Sequence, residues 1–253
     1  MVSYSYKIAF LQAKKFKEII IMAQIKDGKL IFKVATYNVA ALGYCDHDPS
    51  VIGRDIAESE ADIVGLQEID MFLRRSGEIN MAAEIAEAAG YPYYRFIRAI
   101  DYQGGQYGTT ILSKYPIRKL ELINLASTNE KRSLGRFVID ILGCEINFFN
   151  THLSYIEPEL LDHIDQVARI LEGYESYVIT ADYNTCNFGL LEAFHGHRMA
   201  NNAENELYSF PSTKAGIDNI IMTEDFDYSD PYLGPEGHSD HRMLVATLTK
   251  AVD

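Results

Sequence analysis

The chain has 253 residues, of which 47% are hydrophobic and 23% are charged, and its formal net charge is −13 at pH 7. This composition is typical of a globular protein and excludes an intrinsically disordered chain. The negative charge excludes a broadly basic surface, so it does not indicate a nucleic-acid substrate, whose binding would need a local cluster of Lys and Arg.

The N-terminal segment differs from the rest of the chain. Its apolar stretch is interrupted by lysines and a glutamate between residues 14 and 18, which is atypical of a signal peptide. Met22 offers a second translation start, so residues 1–21 are either an addition to the domain or an ordinary terminal helix. We expect residues 1–29 to form an N-terminal extension and residues 30–253 to form one domain.

The cysteine spacing and the hydropathy are the features of the sequence that bear on cellular location. Cys45, Cys144 and Cys186 lie far apart without C-x-x-C spacing, so neither a disulfide framework nor a zinc site is indicated. No stretch approaches the ~20 consecutive apolar residues of a membrane-spanning helix. We therefore expect a cytoplasmic location, no transmembrane segment and no obligate protein partner.

Apolar runs rich in Val, Ile, Phe and Tyr recur along the chain and predict β-strands. In chain order they are LIFKVATYNV, ADIVGLQE, YPYYRFI, YGTTILS, FVIDIL, EINFFNTHL, SYVITADYN, IDNIIMT and MLVATL. Apolar residues at three- and four-residue spacing predict helices over residues 50–59, 80–89 and 158–171. Many strands with few helices favour an α/β (α+β) fold in which two packed sheets are flanked by helices.

Polar side chains that do not suit a core stand at the ends of these runs. Taken singly, an Asn, Asp or His at a strand end is more often a turn former than a functional group. Several such ends in one chain indicate a site, because rigid scaffolds present their chemistry at strand ends. The residues concerned are Asn38, Glu68, His152, Asp182, Asn184, Asp240 and His241.

The carboxylates in this set suit a divalent metal. Glu68 follows a continuous apolar strand, so we expect its carboxylate to project from the sheet edge, where Mg²⁺ or Mn²⁺ would select oxygen ligands. Asp240 and His241 stand side by side before an apolar strand, so the aspartate can hold a metal while the histidine exchanges a proton or binds phosphate. A loop glutamate and two solvated turn residues are the alternatives.

Asp182 and Asn184 are two residues apart, which places them on one face of an extended segment. The aspartate could polarise an attacking water or protonate a leaving oxygen, while the amide donates to a phosphate oxygen or to the nucleophile. The alternative is an Asx turn at the end of a strand.

The ordered set TYNV, LQE, YGTTILS, NTHLS, ADYN, IDNII and SDH resembles the motifs of the endonuclease/exonuclease/phosphatase superfamily, over about residues 31–250. This resemblance implies a deoxyribonuclease I-like fold, a four-layered α/β/β/α sandwich of two packed, mostly antiparallel sheets flanked by helices. It also implies a Mg²⁺- or Mn²⁺-dependent phosphoesterase. Such an enzyme hydrolyses a phosphodiester or phosphomonoester by attack of an activated water, without a covalent intermediate.

The resemblance assigns roles at the metal and at the scissile phosphate. Glu68 matches the principal metal ligand, with Asn38 beside it, and Asp240 matches a further acidic metal contact. His241 matches the histidine that faces the scissile phosphate. Asp218 matches the carboxylate that orients this histidine and favours its charged form.

Further roles concern the substrate. The resemblance makes His152 a second phosphate-binding histidine, and it makes Asp182 and Asn184 the pair that handles the nucleophile and the leaving group. Tyr107 stands at the position of a phosphate-contacting tyrosine. Thr109 departs from the family, because an asparagine is common at its position.

Basic residues provide the remaining indication about the substrate. Arg74 and Arg75 follow the LQE motif, in a spacing similar to that of sphingomyelinase-like members, and Lys131, Arg132 and Arg136 precede FVIDIL. We expect Arg74, Arg75 and Arg136 to line the path of an anionic substrate, solvated loop arginines being the alternative.

Two other classes of function remain open at this point. The chain could be a catalytically silent module that binds phosphate or metal on the same fold. It could also be a structural domain whose polar strand ends are turns. Retention of Glu68, Asp182, Asn184, Asp240 and His241 together argues against the silent module, because a scaffold released from catalysis has no need for a desolvated acidic cluster. A divalent-metal titration distinguishes all three possibilities.

Overall fold

The computed structural model describes residues 23–194 and 196–252, so the predicted addition over residues 1–21 and the candidate start at Met22 lie outside the described residues. The strands are β1 (Gln24–Lys26), β2 (Lys29–Asn38), β3 (Ile63–Met71), β4 (Tyr93–Tyr102), β5 (Gly105–Ser113), β6 (Ile117–Asn124), β7 (Ser133–Ile141), β8 (Cys144–His152), β9 (Tyr177–Asp182), β10 (His197–Met199), β11 (Asp218–Thr223), β12 (Phe226–Leu233) and β13 (Leu244–Ala251). The helices are α1 (Pro49–Ser59), α2 (Met81–Ala89), α3 (Glu157–Leu171) and the short α4 (Phe188–Leu191).

The strands form two sheets. The seven-stranded sheet has the order β12-β13-β2-β3-β5-β4 with β1 added beside β2, and the six-stranded sheet has the order β10-β11-β9-β8-β7-β6. Within the described residues, the pairs β2/β3 and β8/β9 are parallel and the other neighbours are antiparallel. Each parallel pair is connected by a crossover helix, α1 in the first sheet and α3 in the second, as parallel pairing requires.

The sheets pack face to face, and helices cover their outer faces. Phe32 from one sheet and Phe148 from the other contact each other edge to face, with ring centroids 6.2 Å apart, in the core between the sheets. Apolar residues of α1 and α2 pack on the outer face of the seven-stranded sheet, and those of α3 pack on the six-stranded sheet. The four-layered α/β/β/α sandwich of two mostly antiparallel sheets is therefore confirmed.

The three predicted helices are confirmed to within two residues at each end. Two of them begin at side-chain caps, which satisfy backbone N–H groups of the first turn. Asp48 accepts a hydrogen bond of 2.8 Å from the Ser50 amide before α1, and Asn80 accepts one of 3.0 Å from the Ala83 amide before α2. No helix within the described ranges combines the length and apolarity that crossing a membrane requires.

The sequence analysis missed β6 and β12, each of which lies at the edge of a sheet. β6 ends the six-stranded sheet and β12 ends the seven-stranded sheet. Both carry charged and exposed residues, which is how edge strands avoid further pairing and why they lack an apolar run. β1 pairs with β2, so the first sheet already includes residues from the segment 1–29 that we assigned to the extension.

A buried polar network connects the two sheets beneath one edge of the sandwich. At its centre, Asn150 Nδ2 donates to the carbonyl oxygens of Leu66 (3.0 Å) and Thr110 (2.9 Å) in the opposite sheet. Its Oδ1 accepts from Gln67 Nε2 (2.8 Å) and Thr180 Oγ1 (3.1 Å). Every hydrogen-bonding position of the Asn150 amide is thus used, so the network fixes how the sheets sit on each other.

Gly65 permits this close approach. A Cβ built on Gly65 would lie 2.0 Å from Thr180 Oγ1 and 2.7 Å from Asn150 Oδ1, distances at which atoms cannot coexist. Glycine therefore fits at this point of β3 without displacing the polar network, whereas a larger residue would require the neighbouring side chains to shift.

Candidate active site

Strand ends from both sheets meet at the edge of the sandwich above this network. Asn38, His152 and Asp182 are the last residues of β2, β8 and β9. Asp218 begins β11 and is the register partner of Asp182, because β11 runs antiparallel to β9. The strand-end residues identified in the sequence are thus brought to one place by two sheets.

From the sequence we had expected Glu68 to end its strand, but it does not. β3 continues to Met71, and its pairing with β5 shifts register between Leu66 and Ile69. Glu68 lies in this bulge with φ of 59°, in the left-handed region. A bulge interrupts the alternation of side chains, and it turns the Glu68 carboxylate into the pocket at the edge of the sheets.

Asp182 is the centre of the constellation. Its Oδ2 accepts a hydrogen bond of 2.9 Å from Asn38 Nδ2. The Nε2 atoms of His152 and His241 lie 3.3 Å and 3.6 Å from the same oxygen. Burial, followed by repulsion from Asp218, raises the pKa of Asp182 to about 7. This carboxyl group is therefore able to take up and release a proton near neutral pH.

Asn38 connects two carboxylates. Its Nδ2 donates to Asp182 and also to Glu68 Oε1 at 3.2 Å, while its Oδ1 accepts from the Ala40 amide at 3.0 Å. The amide oxygen is turned away from the pocket, so the geometry does not support the expectation that Asn38 is itself a metal ligand. It supports a role as the donor that spaces Glu68 from Asp182.

His241 and Asp218 form the hydrogen-bonded pair that the resemblance implied. Nδ1 of His241 lies 2.8 Å from Asp218 Oδ2, and both side chains are buried. Burial by itself would lower the pKa of His241, but the carboxylates of Asp218 and Asp182 raise it to about 10. Phe210 packs against the imidazole, with ring centroids 4.9 Å apart. His241 is therefore held as a cation in a fixed orientation.

The other titratable groups of the pocket are shifted mainly by burial. Burial lowers the pKa of His152 well below its usual range, and the charges of Arg132 and His241 act in the same direction. Burial raises the pKa of Glu68, which the Asn38 hydrogen bond partly offsets. The site therefore holds one cationic and one neutral histidine around its carboxylates.

Asn184 reaches the pocket by a turn and not by an extended segment. β9 ends at Asp182, and Asn184 has φ of 53° with its amide N–H donating to Asp182 Oδ1 at 2.9 Å. This is the Asx turn that was the alternative at the sequence level. Asn184 Nδ2 donates to the Leu153 carbonyl at 2.9 Å, which holds the amide beside His152 at the pocket wall.

The segment that carries Asp240 and His241 is fixed at two points. Ser239 Oγ donates to the Asn38 carbonyl at 2.7 Å, and His238 Nδ1 lies 2.8 Å from Asp55 Oδ2 on α1. Asp240 thereby lines the same pocket as Glu68, although most of the chain separates the two residues.

These groups surround a pocket of about 490 Å³. Two exposed tyrosines, Tyr102 and Tyr155, lie at its rim, and the buried Tyr107 forms part of its wall. Asn38 and Asp218 lie behind its wall. The predicted site residues that line it are Glu68, Arg75, Tyr107, His152, Asp182, Asn184, Asp240 and His241.

Two of the predicted substrate arginines, Arg74 and Arg136, do not line this pocket. The Arg136 guanidinium bonds to Asn147 Oδ1 at 2.8 Å, pairs with Glu121 at 3.2 Å and stacks 4.6 Å from the Tyr174 ring centroid. Arg136 lies within β7, where alternation turns its side chain to the outer face of the sheet. The Arg74 side chain is 84% exposed and forms a surface ion pair with Glu78 at 3.7 Å.

Arg75 lies at the rim but is engaged elsewhere. Its Nε and Nη2 each lie 2.7 Å from a carboxylate oxygen of the fully buried Asp70. A bidentate pair of this kind holds the guanidinium in place and uses its charge within the protein.

Arg132 is the basic residue that reaches deepest into the pocket. It is 5% exposed, lines the pocket and pairs with Glu130 at 3.1 Å. It immediately precedes β7, so it stands at a strand end on the edge that carries the site. The rule that selected the acidic residues would also have preferred Arg132 to Arg136.

Two sets of residues in or beside the pocket could hold a cation. Ligand atoms of Asp182, Asp218 and His241 lie within 4.8 Å of one another. A metal there would compete with the hydrogen bond between Asp218 and His241, so this triad fits proton chemistry better. Glu68 and Asp240 both face the pocket, and neither forms an ion pair with a Lys or Arg among the described residues. Two unpaired carboxylates fit a hard divalent cation.

Comparison with known proteins connects this geometry to a family. Residues 35–241 match the model of the Endonuclease/Exonuclease/phosphatase family. A comparison of the sequence with curated proteins finds no match.

Solved structures share the fold. An endonuclease/exonuclease/phosphatase from Beutenbergia cavernae has a TM-score of 0.73 at 19% identity, covering 87% of this chain and 72% of that chain. A mannosyl-6-phosphatase from Bacteroides thetaiotaomicron has a TM-score of 0.65 at 18% identity, covering 86% and 99%. A sphingomyelinase C from Streptomyces griseocarneus has a TM-score of 0.62 at 17% identity, covering 86% and 99%. The shared fold thus hosts enzymes with chemically different substrates.

Proposed function

Because the chain belongs to the endonuclease/exonuclease/phosphatase family, we propose that it is a Mg²⁺- or Mn²⁺-dependent phosphoesterase. It hydrolyses a phosphodiester or phosphomonoester by direct attack of water, without a covalent intermediate. The observation that carries this proposal is the arrangement around Asp182, where one carboxylate oxygen accepts a hydrogen bond from Asn38 Nδ2 and lies 3.3 Å and 3.6 Å from the Nε2 atoms of His152 and His241.

Glu68 and Asp240 are the proposed metal ligands. When bound there, a divalent cation would polarise a phosphoryl oxygen and neutralise charge that develops on it. Asn38 holds the Glu68 carboxylate at its distance from Asp182, so that the cation does not draw the proton-transfer group out of position.

Asp182 is proposed to accept the proton of the attacking water. A general base works best when its pKa lies near the working pH, because a large fraction is then deprotonated and still basic. Burial and the charge of Asp218 raise the pKa of Asp182 to about 7. Asn184 donates from its backbone to the second carboxylate oxygen, which fixes the orientation of the base.

His241 is proposed to stabilise the phosphoryl oxygens. Its Nδ1–H donates to Asp218, which leaves the Nε2–H directed into the pocket. A preorganised cationic donor of this kind stabilises charge that increases in the transition state. His152 also lines the pocket, and its Nε2 lies 3.3 Å from Asp182 Oδ2, so the proposed role of this ring is to hold the base in place.

The pocket favours a compact phosphoester. Its volume is about 490 Å³, and both of its arginines already have carboxylate partners. A substrate with one or two phosphates and a polar or planar group that contacts the rim tyrosines fits these dimensions better than a nucleic-acid duplex, which would need unpaired basic residues along a face.

A metal titration tests the proposal. Protein stripped of metal should bind Mg²⁺ or Mn²⁺ in calorimetry, and Glu68→Gln should lose most of this affinity with unchanged circular dichroism, because one ligand charge is removed at nearly constant volume. Glu87→Gln, an exposed change on α2, is the matched control. Unchanged affinity in Glu68→Gln would reject the metal assignment.

A substrate panel separates catalysis from binding. The wild type should hydrolyse at least one member of a panel of nucleotides, nucleic acids, sugar phosphates and phospholipids when Mg²⁺ or Mn²⁺ is added, and EDTA should abolish this activity. Binding of metal and phosphate without turnover of any member would instead favour a catalytically silent module on the same fold.

A further inference from the structure

A second, much smaller cavity lies directly beside the active-site pocket. Tyr107, Arg132 and His152 line both spaces, so these side chains form the wall between them. The cavity lies between the two sheets, because Thr109 belongs to β5 and Ser133 begins β7. Its volume is about 10 Å³, close to what a single water molecule occupies by this measure.

Four residues that line the cavity each have one buried polar side-chain atom without a hydrogen-bond partner within the described part of the chain: Thr109 Oγ1, Arg132 Nε, Ser133 Oγ and His152 Nδ1. The four residues are between 2% and 6% exposed. Each buried polar atom without a partner costs roughly 1–3 kcal/mol, and such atoms are rare in native proteins. Four of them around one space therefore indicate a shared ligand.

We propose that this cavity is a binding site for one ordered water molecule, which accepts a hydrogen bond from Arg132 Nε and donates one to His152 Nδ1. Its second hydrogen and second lone pair serve the hydroxyl groups of Thr109 and Ser133, which can each donate or accept. One molecule thus satisfies all four side chains with four hydrogen bonds, two donated and two accepted, which is within the range of buried waters.

The proton positions follow from the neighbours. Nε2 of His152 faces the Asp182 carboxylate at 3.3 Å, so this nitrogen carries the proton and Nδ1 is an acceptor. Arg132 Nε can only donate. A direct hydrogen bond from Arg132 Nε to His152 Nδ1 would satisfy both atoms, but the two atoms do not form one. A water is the smallest group that accepts from one and donates to the other.

Other small ligands fit less well. A cation is excluded by the Nε–H of Arg132, which points at the space. An anion would meet the lone pair of His152 Nδ1, and the Arg132 charge is already paired with Glu130 at 3.1 Å. The donors and acceptors around the cavity are balanced, which suits a neutral molecule with both functions.

The water makes Thr109 and Ser133 positioning residues. It fixes the tautomer and the ring orientation of His152, and it holds the Arg132 guanidinium that lines the pocket. This consequence for catalysis rests on the proposed function, whereas the water site itself does not. Loss of a residue that orients an active-site side chain commonly lowers activity by about tenfold or more.

Crystallography and NMR of the metal-free wild type, without substrate, test the site independently of any activity. We expect a density peak within about 2.6–3.2 Å of Arg132 Nε and His152 Nδ1, and ¹⁵N shifts that place the His152 proton on Nε2. A well-ordered cavity wall without this peak would overturn the proposal. So would a proton on Nδ1, or an anomalous peak in the cavity after a bromide soak, which would identify an anion site.

Two variants test the positioning role. Ser133→Val fills the cavity with methyl groups and should displace the water, mix the His152 tautomers and lower kcat by about tenfold with little change in KM. Thr109→Val removes one hydroxyl at nearly constant volume and should show the same changes more weakly, while Thr109→Ser keeps the hydroxyl and should restore wild-type values. A single Nε2–H tautomer retained in a folded Ser133→Val variant would contradict the role of the water.

Discussion

Replacing Gly65 by alanine tests how closely the two sheets must approach. The added Cβ would lie 2.0 Å from Thr180 Oγ1, 2.7 Å from Asn150 Oδ1 and 2.8 Å from Thr180 Cβ. Rotation of the Thr180 side chain relieves only the first of these contacts, so the sheets must also move apart. Rotation would break the hydrogen bonds of Thr180 Oγ1 to Asn150 Oδ1 (3.1 Å) and the Phe149 carbonyl (3.3 Å). Both responses disturb the network beneath the active site.

The cost follows from these contacts. Overpacking a core by one methyl group typically costs about 1–3 kcal/mol, and loss of a buried hydrogen bond adds roughly 1 kcal/mol. The smaller conformational entropy of unfolded alanine offsets about 0.4–1 kcal/mol of this. We expect Gly65→Ala to lower the free energy of unfolding by about 2–3 kcal/mol.

Urea unfolding of the metal-free protein, followed by circular dichroism, measures this change. Gly173→Ala is the matched control, because its Cβ would meet the Ile170 carbonyl no closer than 3.4 Å, and it should be within about 1 kcal/mol of wild type. Thr180→Ala removes the nearest atom, so Gly65→Ala should cost about 1 kcal/mol less in that background. Equal stability of Gly65→Ala and Gly173→Ala would refute the steric reasoning.

Three further predictions concern side-chain pairs at the site. His241→Ala should lower kcat by about 10²–10³ and Asp218→Ala by less, and the double variant should be far from additive in steady-state kinetics; losses that simply multiply would contradict a shared function. Because the pKa of folded His241 is raised to about 10, the pair should stabilise the metal-free protein fully below pH 6.5 and lose this effect as pH rises to about 10; a wild type and an Asp218→Asn variant with parallel stability curves would count against it. Arg75→Ala should cost about 2 kcal/mol in thermal unfolding, since it leaves buried Asp70 without its partner, and Arg74→Ala should cost almost nothing.

Much of the site was predictable because a polar residue at the end of an apolar run can be recognised from the local sequence. Asn38, His152 and Asp182 each end an apolar run, and a side chain at such a position must leave the core at the edge of a sheet. The order of the motifs then supplied the fold. The bulge at Glu68 was not predictable, since an extra residue in a strand leaves the apolar run unbroken.

Long-range contacts account for what the sequence did not reveal. Gln67, Asn150 and Thr180 are polar residues inside apolar runs, and their partners lie across the interface between the sheets. No local pattern distinguishes such residues from solvent-facing positions. Arg136 was misplaced for a related reason, because the face of a strand to which a residue points depends on register and not on distance from a motif.

The two crossover units, one in each sheet, divide the proposed reacting groups between the two sheets. The unit with α1 delivers Asn38 and Glu68, and the unit with α3 delivers His152 and Asp182. Either sheet can pair its own strands without forming a competent site. During refolding, far-UV circular dichroism should therefore report the formation of the individual sheets, whereas recovery of phosphoester hydrolysis should report the later event in which one sheet docks on the other.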